Sequence, residues 1–283
     1  MKAEPLVTTE TLAAHLGDKD WIVFDVRHDL ADVAKGRRAY SQSHVPGAYF
    51  LHLDEDLSGA KTGTNGRHPL PPLDAFAAKM NACGVAPGRQ VVAYDDAGGC
   101  YAVRLWWMLT WLGHDRVAVL DGGWQQWTKE ARAVDALTPA PRDGAFAPRP
   151  HLGSAVDAAY VDIARVDANV PLIDARAGPR YRGEQEPLDA KAGHIPGAMN
   201  RFWQSNLGAD GRFKAPDILR SEFATLLGNR DPKRTVHYCG SGVTACHNLF
   251  SMELAGLNGS RLYPGSWSEW SADASRPVAT GDK

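Results

Sequence analysis

The chain has 283 residues, 44% of them hydrophobic, which is enough to bury the cores of two domains of ordinary size. Its 31 lysines and arginines stand against 33 aspartates and glutamates, and a net charge of −2 makes neither nucleic acid nor a membrane surface an expected partner. No hydrophobic run approaches the ~18 residues of a membrane span, and no secretory signal pattern opens the chain, so the cytoplasm is the expected location.

Apolar runs alternate with helical periodicity along the first half of the chain. Thr9 is predicted to cap a helix from Glu10 to about Leu16, which Gly17 ends. Two further helices are predicted, from an apolar stripe between Leu73 and Met80 and from Ala102–Leu112 before Gly113. Short apolar runs predict buried strands at Ile22–Phe24, Val91–Tyr94 and Val117–Leu120.

A proline-rich segment, LTPAPRDGAFAPRPHLG, comes next and is typical of an extended surface linker. The alternation then resumes. It predicts strands at Leu172–Asp174, Thr235–Tyr238 and Arg261–Tyr263, and helices at Ile218–Leu227 and Val243–Ala255.

Three motifs of the first half recur in the second half, in the same order and at an offset of about 143 to 150 residues. VFDVRHD resembles LIDARAG, SHVPGAYF resembles GHIPGAMN, and LDGGWQQW resembles YPGSWSEW. Chance does not explain a shared order and offset, so we expect two copies of one domain. The predicted boundaries are residues 1–137 for the first copy, 138–153 for the linker and 154–283 for the second copy.

The predicted fold class is α/β, with two tandem domains that each contain a mainly parallel sheet covered by helices on both faces. Active sites in such sheets lie at the carboxyl ends of the strands. Cys239 directly follows a predicted strand and is therefore placed at such an end.

Cys239 opens the segment CGSGVTA, which leads from a strand into a helix. Gly240 and Gly242 permit backbone conformations that would let several N–H groups point at one atom. This curl and the positive end of the helix both favour anionic sulfur, so the sequence predicts a nucleophilic thiolate. The other three cysteines, which form no CxxC pair and no zinc-ligand spacing with it, are interpreted as core residues: Cys83, Cys100 and Cys246.

Aligning the two copies sets VVAYDDAGG against TVHYCGSGV and puts Asp95 opposite Cys239. A carboxylate cannot carry sulfur as a persulfide. The first copy is therefore predicted to be catalytically inactive, to stabilise the fold and to supply residues to the site.

Together, CGSGVTA, GHIPGA, DGGWQQW and GSWSEW resemble the tandem-domain rhodanese family, and specifically its 3-mercaptopyruvate sulfurtransferase branch. The resemblance spans nearly the whole chain. It implies a two-step transfer in which Cys239 becomes a persulfide and then passes the sulfur to cyanide or to a thiol, such as a small thiol or thioredoxin. It implies a small-molecule sulfur donor and requires no metal or organic cofactor.

The resemblance also implies roles for particular residues. Arg180 in GPRYRG matches the arginine that binds the donor carboxylate, and Asp54, His68 and Ser241 match a proposed proton relay. The loop N–H groups that would stabilise the thiolate and the persulfide belong to the segment after the cysteine: Gly240, Ser241, Gly242, Val243, Thr244 and Ala245.

One position departs from the branch pattern. A second carboxylate-binding arginine often follows an EP pair, but this chain has Leu188 there. Arg182 and Lys191 are the candidates that sequence proximity offers as substitutes.

Three alternatives remain open at this stage. Thiosulfate sulfurtransferase is the main one, although Gly240 and Ser241 are neutral where that branch usually has basic residues. A non-catalytic persulfide carrier would need only Cys239. A phosphatase of a related fold would need a Cys-x5-Arg loop, and Ala245 occupies the arginine position.

Overall fold

The computed structural model describes residues 4–282, which divide into two compact units. Within the described residues, the first unit consists of residues 4–59, Pro71–His151 and Asp210–Arg212. The second consists of Ala60–Leu70, Leu152–Ala209 and residues 213–282. Over the part of the chain that is described, no helix has both the length and the apolar character needed to cross a membrane.

The first unit contains a five-stranded sheet in which all pairs are parallel, in the order β1-β5-β4-β2-β3. Its strands are β1 (Leu6–Val7), β2 (Trp21–Asp25), β3 (Tyr49–Phe50), β4 (Gln90–Tyr94) and β5 (Val117–Leu120). Its helices are α1 (Thr9–Ala14), α2 (Lys35–Gln42), α3 (Leu73–Ala82), α4 (Ala102–Trp111) and α5 (Gly123–Lys129).

The second unit repeats this plan with a four-stranded parallel sheet in the order β7-β6-β8-β9. Its strands are β6 (Leu172–Asp174), β7 (Met199–Asn200), β8 (Val236–Tyr238) and β9 (Arg261–Leu262). Its α-helices are α6 (Ala158–Ala164), α7 (Gly178–Tyr181), α8 (Pro216–Leu227), α9 (Ala245–Leu254) and α10 (Ser266–Trp270). Two 3-10 helices, Trp203–Asn206 and Pro232–Arg234, complete it.

Both faces of the second sheet are covered. Neighbouring residues of β6 point to opposite faces, because side chains alternate along a strand. Leu172 packs in one buried cluster with Val161 of α6, whereas Ile173 packs in another with Phe223 of α8 and Met252 of α9. The predicted α/β fold class is therefore confirmed.

The cap of the first helix was predicted at the wrong residue. Thr8, whose backbone is extended, accepts a hydrogen bond on its side chain from the Thr11 N–H at 3.1 Å and is the N-cap. Thr9 is already helical, and its hydroxyl donates to Glu130 instead. Two adjacent threonines carry the same capping signal, so sequence alone did not distinguish them.

The three repeated motifs meet in one buried network, seen first in the first unit. The Asp25 carboxylate accepts hydrogen bonds from the Arg27 guanidinium at 2.6 Å and from the Tyr94 hydroxyl at 2.7 Å. The Tyr94 oxygen accepts from the Val45 N–H at 3.1 Å, and Arg27 lies 4.4 Å over the Trp124 ring. The first motif supplies the ion pair, the second supplies Val45, and the third supplies Trp124.

The second unit builds the same arrangement from the second copies of the motifs. Arg176 donates to Asp174 at 2.6 Å and lies 4.7 Å over the Trp267 ring. The Ile195 N–H donates to the Tyr238 hydroxyl at 3.2 Å. In each copy the network joins the repeated motifs to the tyrosine that ends an inner strand of the sheet, Tyr94 in β4 and Tyr238 in β8.

Candidate active site

Cys239 directly follows β8, a strand paired on both sides, and its residue is only 2% exposed. The N–H groups of Gly242 and Ser241 point at its sulfur, with N···Sγ distances of 3.2 and 3.5 Å. Gly242 has a φ of +76°, and a Cβ atom there would lie 2.3 Å from the Pro264 carbonyl oxygen. Only glycine fits this turn, and the turn aims the two donors at the sulfur.

The segment Ser266–Ser268, which includes part of the GSW motif, holds the cysteine loop through hydrogen bonds to its backbone. Ser266 adopts a left-handed backbone with φ of 55°, and its hydroxyl accepts a hydrogen bond from the Cys239 N–H at 3.1 Å. The carbonyls of Cys239 and Gly240 accept from the N–H groups of Trp267 and Ser268, at 3.0 and 2.9 Å. A non-glycine residue in this conformation is strained, so the surrounding contacts must hold it there.

Ser241 and His68 are in direct contact. The distance from Ser241 Oγ to His68 Nδ1 is 2.7 Å, and both residues are buried. His68 belongs to the segment Ala60–Leu70. This segment is part of the second unit, although in sequence it lies between β3 and α3 of the first unit. Two of the three residues of the predicted relay therefore lie together.

Asp54, the third residue of that relay, lies in the first unit. Its backbone N–H donates to His52 Nδ1 at 3.2 Å, and its carboxylate is 3.9 Å from His28 Nε2. The side chains of His28, His52 and Asp54 each place a possible metal-ligand atom within 4.8 Å of the others. However, His52 Nε2 already contacts the Val33 carbonyl at 2.9 Å and its Nδ1 is also engaged, so His52 does not present a free ligand atom.

Arg180, on α7, is held by two buried carboxylates. Its Nη2 donates to Glu186 Oε1 at 2.6 Å and lies 3.5 Å from Asp189 Oδ2. Glu186 is fixed in turn by Arg176, whose Nη1 donates to it at 3.1 Å. Arg180 keeps 20% of its side chain exposed.

A second arginine, Arg67, lies beside the cysteine loop, and the sequence did not single it out. A Cβ atom built on Gly240 would be 2.7 Å from Arg67 Nη2 and 3.6 Å from each Nη atom of Arg180. The two substitutes suggested by sequence are engaged in other contacts: Arg182 donates to Glu184 at 2.7 Å, and Lys191 donates to the Asp273 carbonyl at 3.0 Å. The one sequence signal for Arg67 was its position next to His68.

The three remaining cysteines are buried, as expected of core residues: Cys83, Cys100 and Cys246. Cys246, on α9, donates its thiol to the Gly242 carbonyl at 3.4 Å. It therefore supports the loop through the backbone.

Asp95 follows β4 as Cys239 follows β8. Its buried carboxylate accepts four backbone hydrogen bonds, each of 2.8 Å, from the loop that curls around it: the N–H groups of Ala97, Gly99, Tyr101 and Ala102. Burial raises the pKa of Asp95 above its usual range, and the four N–H donors oppose that shift. The loop of the first copy thus surrounds the Asp95 carboxylate, and the corresponding loop of the second copy surrounds the Cys239 sulfur.

Comparison with known proteins agrees with this architecture. A model of the rhodanese-like domain matches residues 8–130 and 158–273. The chain is 47% identical to a probable 3-mercaptopyruvate sulfurtransferase of Pseudomonas aeruginosa, with all of both chains covered. It is 36% identical to a putative thiosulfate sulfurtransferase of Mycobacterium tuberculosis, with 99% of this chain and 98% of that protein covered. The solved 3-mercaptopyruvate sulfurtransferase from Leishmania major superposes with a TM-score of 0.83 at 31% identity, covering 95% of this chain and 74% of that one.

The chain therefore belongs to the rhodanese family, as its motifs predicted, with two rhodanese-like domains in tandem. It falls with the tandem-domain sulfurtransferases of that family, an enzyme class that moves sulfur between small molecules.

Proposed function

We propose that this sulfurtransferase takes sulfur from 3-mercaptopyruvate through a persulfide on Cys239. One observation carries the proposal: the Cys239 sulfur faces two N–H donors, and the partly exposed Arg180 lies beside the same loop. Arg180 lies near Gly240, the residue next to the nucleophile, so a donor carboxylate bound there would bring its thiol close to Cys239. The 47% identity to a probable 3-mercaptopyruvate sulfurtransferase supports the same donor.

In the first step, the Cys239 thiolate attacks the donor sulfur. An S–S bond forms while the donor C–S bond breaks, and the electron pair of that bond leaves as the enolate of pyruvate. The Ser241 hydroxyl, which contacts His68 Nδ1 at 2.7 Å, protonates the enolate carbon, and His68 returns a proton to Ser241. We keep Asp54, whose carboxylate lies 3.9 Å from His28 Nε2, as the proposed third member of this relay.

In the second step, an acceptor thiolate attacks the outer sulfur of the persulfide. The new S–S bond forms on the acceptor, and Cys239 leaves as a thiolate, ready for another donor. Cyanide would instead carry the sulfur away as thiocyanate. The N–H groups of Ser241 and Gly242 stabilise the anionic sulfur at both stages, and Gly240, Val243, Thr244 and Ala245 are proposed to complete the cradle around the outer sulfur.

A small thiol or thioredoxin is the proposed physiological acceptor, because the second step requires only a nucleophilic thiolate that can reach a loop. The cytoplasm is the proposed location, since none of the four cysteines, all within the described residues, is in a disulfide, and reducing compartments keep cysteines in that state.

Thiosulfate is the second candidate donor, and a specific observation favours it. Arg67 places a cation beside Gly240, close to where thiosulfate-specific relatives carry basic side chains in the loop itself. The 36% identity to a putative thiosulfate sulfurtransferase points the same way. The neutral Gly240 and Ser241 therefore do not leave the loop without a nearby cation for thiosulfate, because Arg67 lies beside it.

The test is a comparison of kcat/KM for 3-mercaptopyruvate and thiosulfate, with cyanide as the common acceptor. The proposal expects the higher kcat/KM with 3-mercaptopyruvate, because Arg180 can bind its carboxylate through two parallel hydrogen bonds. A higher value with thiosulfate would make the second candidate the better description.

A further inference from the structure

Leu188 and Arg67 line the same cavity. Its volume is about 250 Å³, and Asp189, Lys61 and Ser268 also contribute to its wall. Leu188 is 46% exposed and brings no charge to the place where the branch usually has a second arginine. Arg67 approaches that cavity from a different segment of the chain.

Arg67 is held in a defined position. Its backbone N–H donates to Ser268 Oγ at 3.0 Å, and its Nη1 pairs with the Asp189 carboxylate. The preceding Gly66 has a φ of +83°, and a Cβ there would lie 2.7 Å from the Gly265 carbonyl oxygen. The backbone therefore passes close to the GSW turn, and this approach directs the Arg67 side chain toward Gly240.

Asp189 connects the two arginines. One of its oxygens pairs with Arg67 Nη1, and the other lies 3.5 Å from Arg180 Nη2. This oxygen, Asp189 Oδ2, is buried and has no hydrogen-bond partner within the described residues. A shared carboxylate thus places both guanidiniums next to the backbone of Gly240, where the missing side chain leaves room for them.

We propose that Arg67 is the second carboxylate-binding cation of the donor site and takes over the task of the arginine that Leu188 replaces. The inference rests on the proposed function, since it concerns how the donor of that reaction is held. Two guanidiniums, those of Arg67 and Arg180, bind one carboxylate of the donor beside Cys239.

The first experiment measures KM and kcat for 3-mercaptopyruvate in wild type, Arg67→Ala and Arg182→Ala. Arg67→Ala is expected to raise KM about 10-fold or more while kcat changes less than about 3-fold, because it removes a charge-assisted hydrogen bond to the donor. Arg182→Ala is the matched control: it removes a partly exposed arginine paired with Glu184 and should leave KM unchanged. An unchanged KM in Arg67→Ala would overturn the inference.

A double-mutant cycle separates this role from a structural one. Leu188→Arg should lower KM strongly in the Arg67→Ala background and only weakly in wild type, because the site needs one second cation from either position. An equal effect in both backgrounds would contradict the inference. Arg67→Gln replaces Arg67→Ala in the cycle if the alanine variant does not fold.

Pyruvate binding distinguishes failure of this inference from failure of the proposed donor. Pyruvate carries the same carboxylate, and its affinity can be followed by ligand-observed NMR without turnover. Weaker pyruvate binding in Arg67→Ala than in wild type supports the arginine's role even if 3-mercaptopyruvate is not turned over. Equal binding in the two proteins contradicts it, and lack of turnover by wild type counts only against the donor.

Discussion

At the scale of single residues, each copy places an anion or a potential anion at the end of its central strand. Asp95 is surrounded by four backbone N–H donors, and the Cys239 sulfur faces two. Backbone donors in a curled loop stabilise negative charge without a side-chain cation. The same loop architecture therefore surrounds a buried carboxylate in one copy and, in the other, the sulfur that we propose to be the nucleophile.

The buried His237, two residues before Cys239, should make the stability of the protein depend on pH. It is fully buried on β8, and burial lowers its pKa from 6.5 to about 3. Because the folded pKa is depressed, the unfolded chain takes up a proton below pH 6.5 that the folded protein does not bind, so stability falls as pH falls. Between pH 7 and pH 5 this histidine should cost about 2 kcal/mol of unfolding free energy.

Chemical denaturation of wild type and His237→Leu at pH 7 and pH 5 measures this cost. The variant should lose about 2 kcal/mol less than wild type over that interval. Equal losses in the two proteins would mean that His237 already takes up its proton in the folded state.

At the scale of elements, the left-handed backbone of Gly242 sets the turn after β8 and aims the Gly242 N–H at the Cys239 sulfur. Gly242→Ala forces a Cβ against the Pro264 carbonyl and should move the 242 N–H away from the Cys239 sulfur. We expect kcat/KM to fall on the order of 100-fold, the effect of losing one preorganised N–H donor in other active sites.

Gly17→Ala is the matched control for this variant. Gly17 also has a left-handed backbone, with φ of +81°, but a Cβ atom there would meet no atom within 4 Å. The control should lose about 1 kcal/mol of stability and keep its kcat/KM. Similar activity losses in both variants would assign the effect to backbone strain and not to the position of the donor.

The buried central strands and long helices were predictable because their apolar runs are contiguous. Val117–Leu120 and Leu172–Asp174 match the observed strands at both ends. All four edge strands have only two residues, which is too short to show a periodicity. The strands β1, β3 and β7 were not predicted, whereas β9 lies within the predicted strand Arg261–Tyr263. Cys239 could be placed from its strand–loop–helix context, whereas the left-handed Ser266 that fastens the loop is set by tertiary contacts.

At the scale of the whole molecule, the repeat predicted two domains, but the position of Ala60–Leu70 could not be predicted. This segment has no apolar periodicity, and its contacts are distant in sequence: Arg67 meets Ser268 across 201 residues, and His68 meets Ser241 across 173. Local patterns carry no information about such contacts. The segment clusters with the second unit and brings Arg67 and His68 with it.

A fragment covering residues 154–283 should therefore transfer sulfur poorly even where it folds. It lacks Arg67 and His68, and with them the contacts to Ser268 and Ser241. We expect kcat/KM for 3-mercaptopyruvate to fall by at least about 100-fold, since the proposed general acid catalysis and the proposed donor contact are both lost. Circular dichroism checks the fold, and full activity in a folded fragment would show that nothing before residue 154 takes part in the chemistry.

The central claim is that Cys239 carries the transferred sulfur, and mass spectrometry tests it most directly. The protein is incubated with 3-mercaptopyruvate without acceptor, blocked with an alkylating reagent and digested. We expect one added sulfur atom on the peptide that contains Cys239. Addition of cyanide should remove this sulfur, Cys246→Ala should retain it and Cys239→Ser should abolish it. An added sulfur found mainly on Cys83, Cys100 or Cys246 in the wild-type protein would contradict the account.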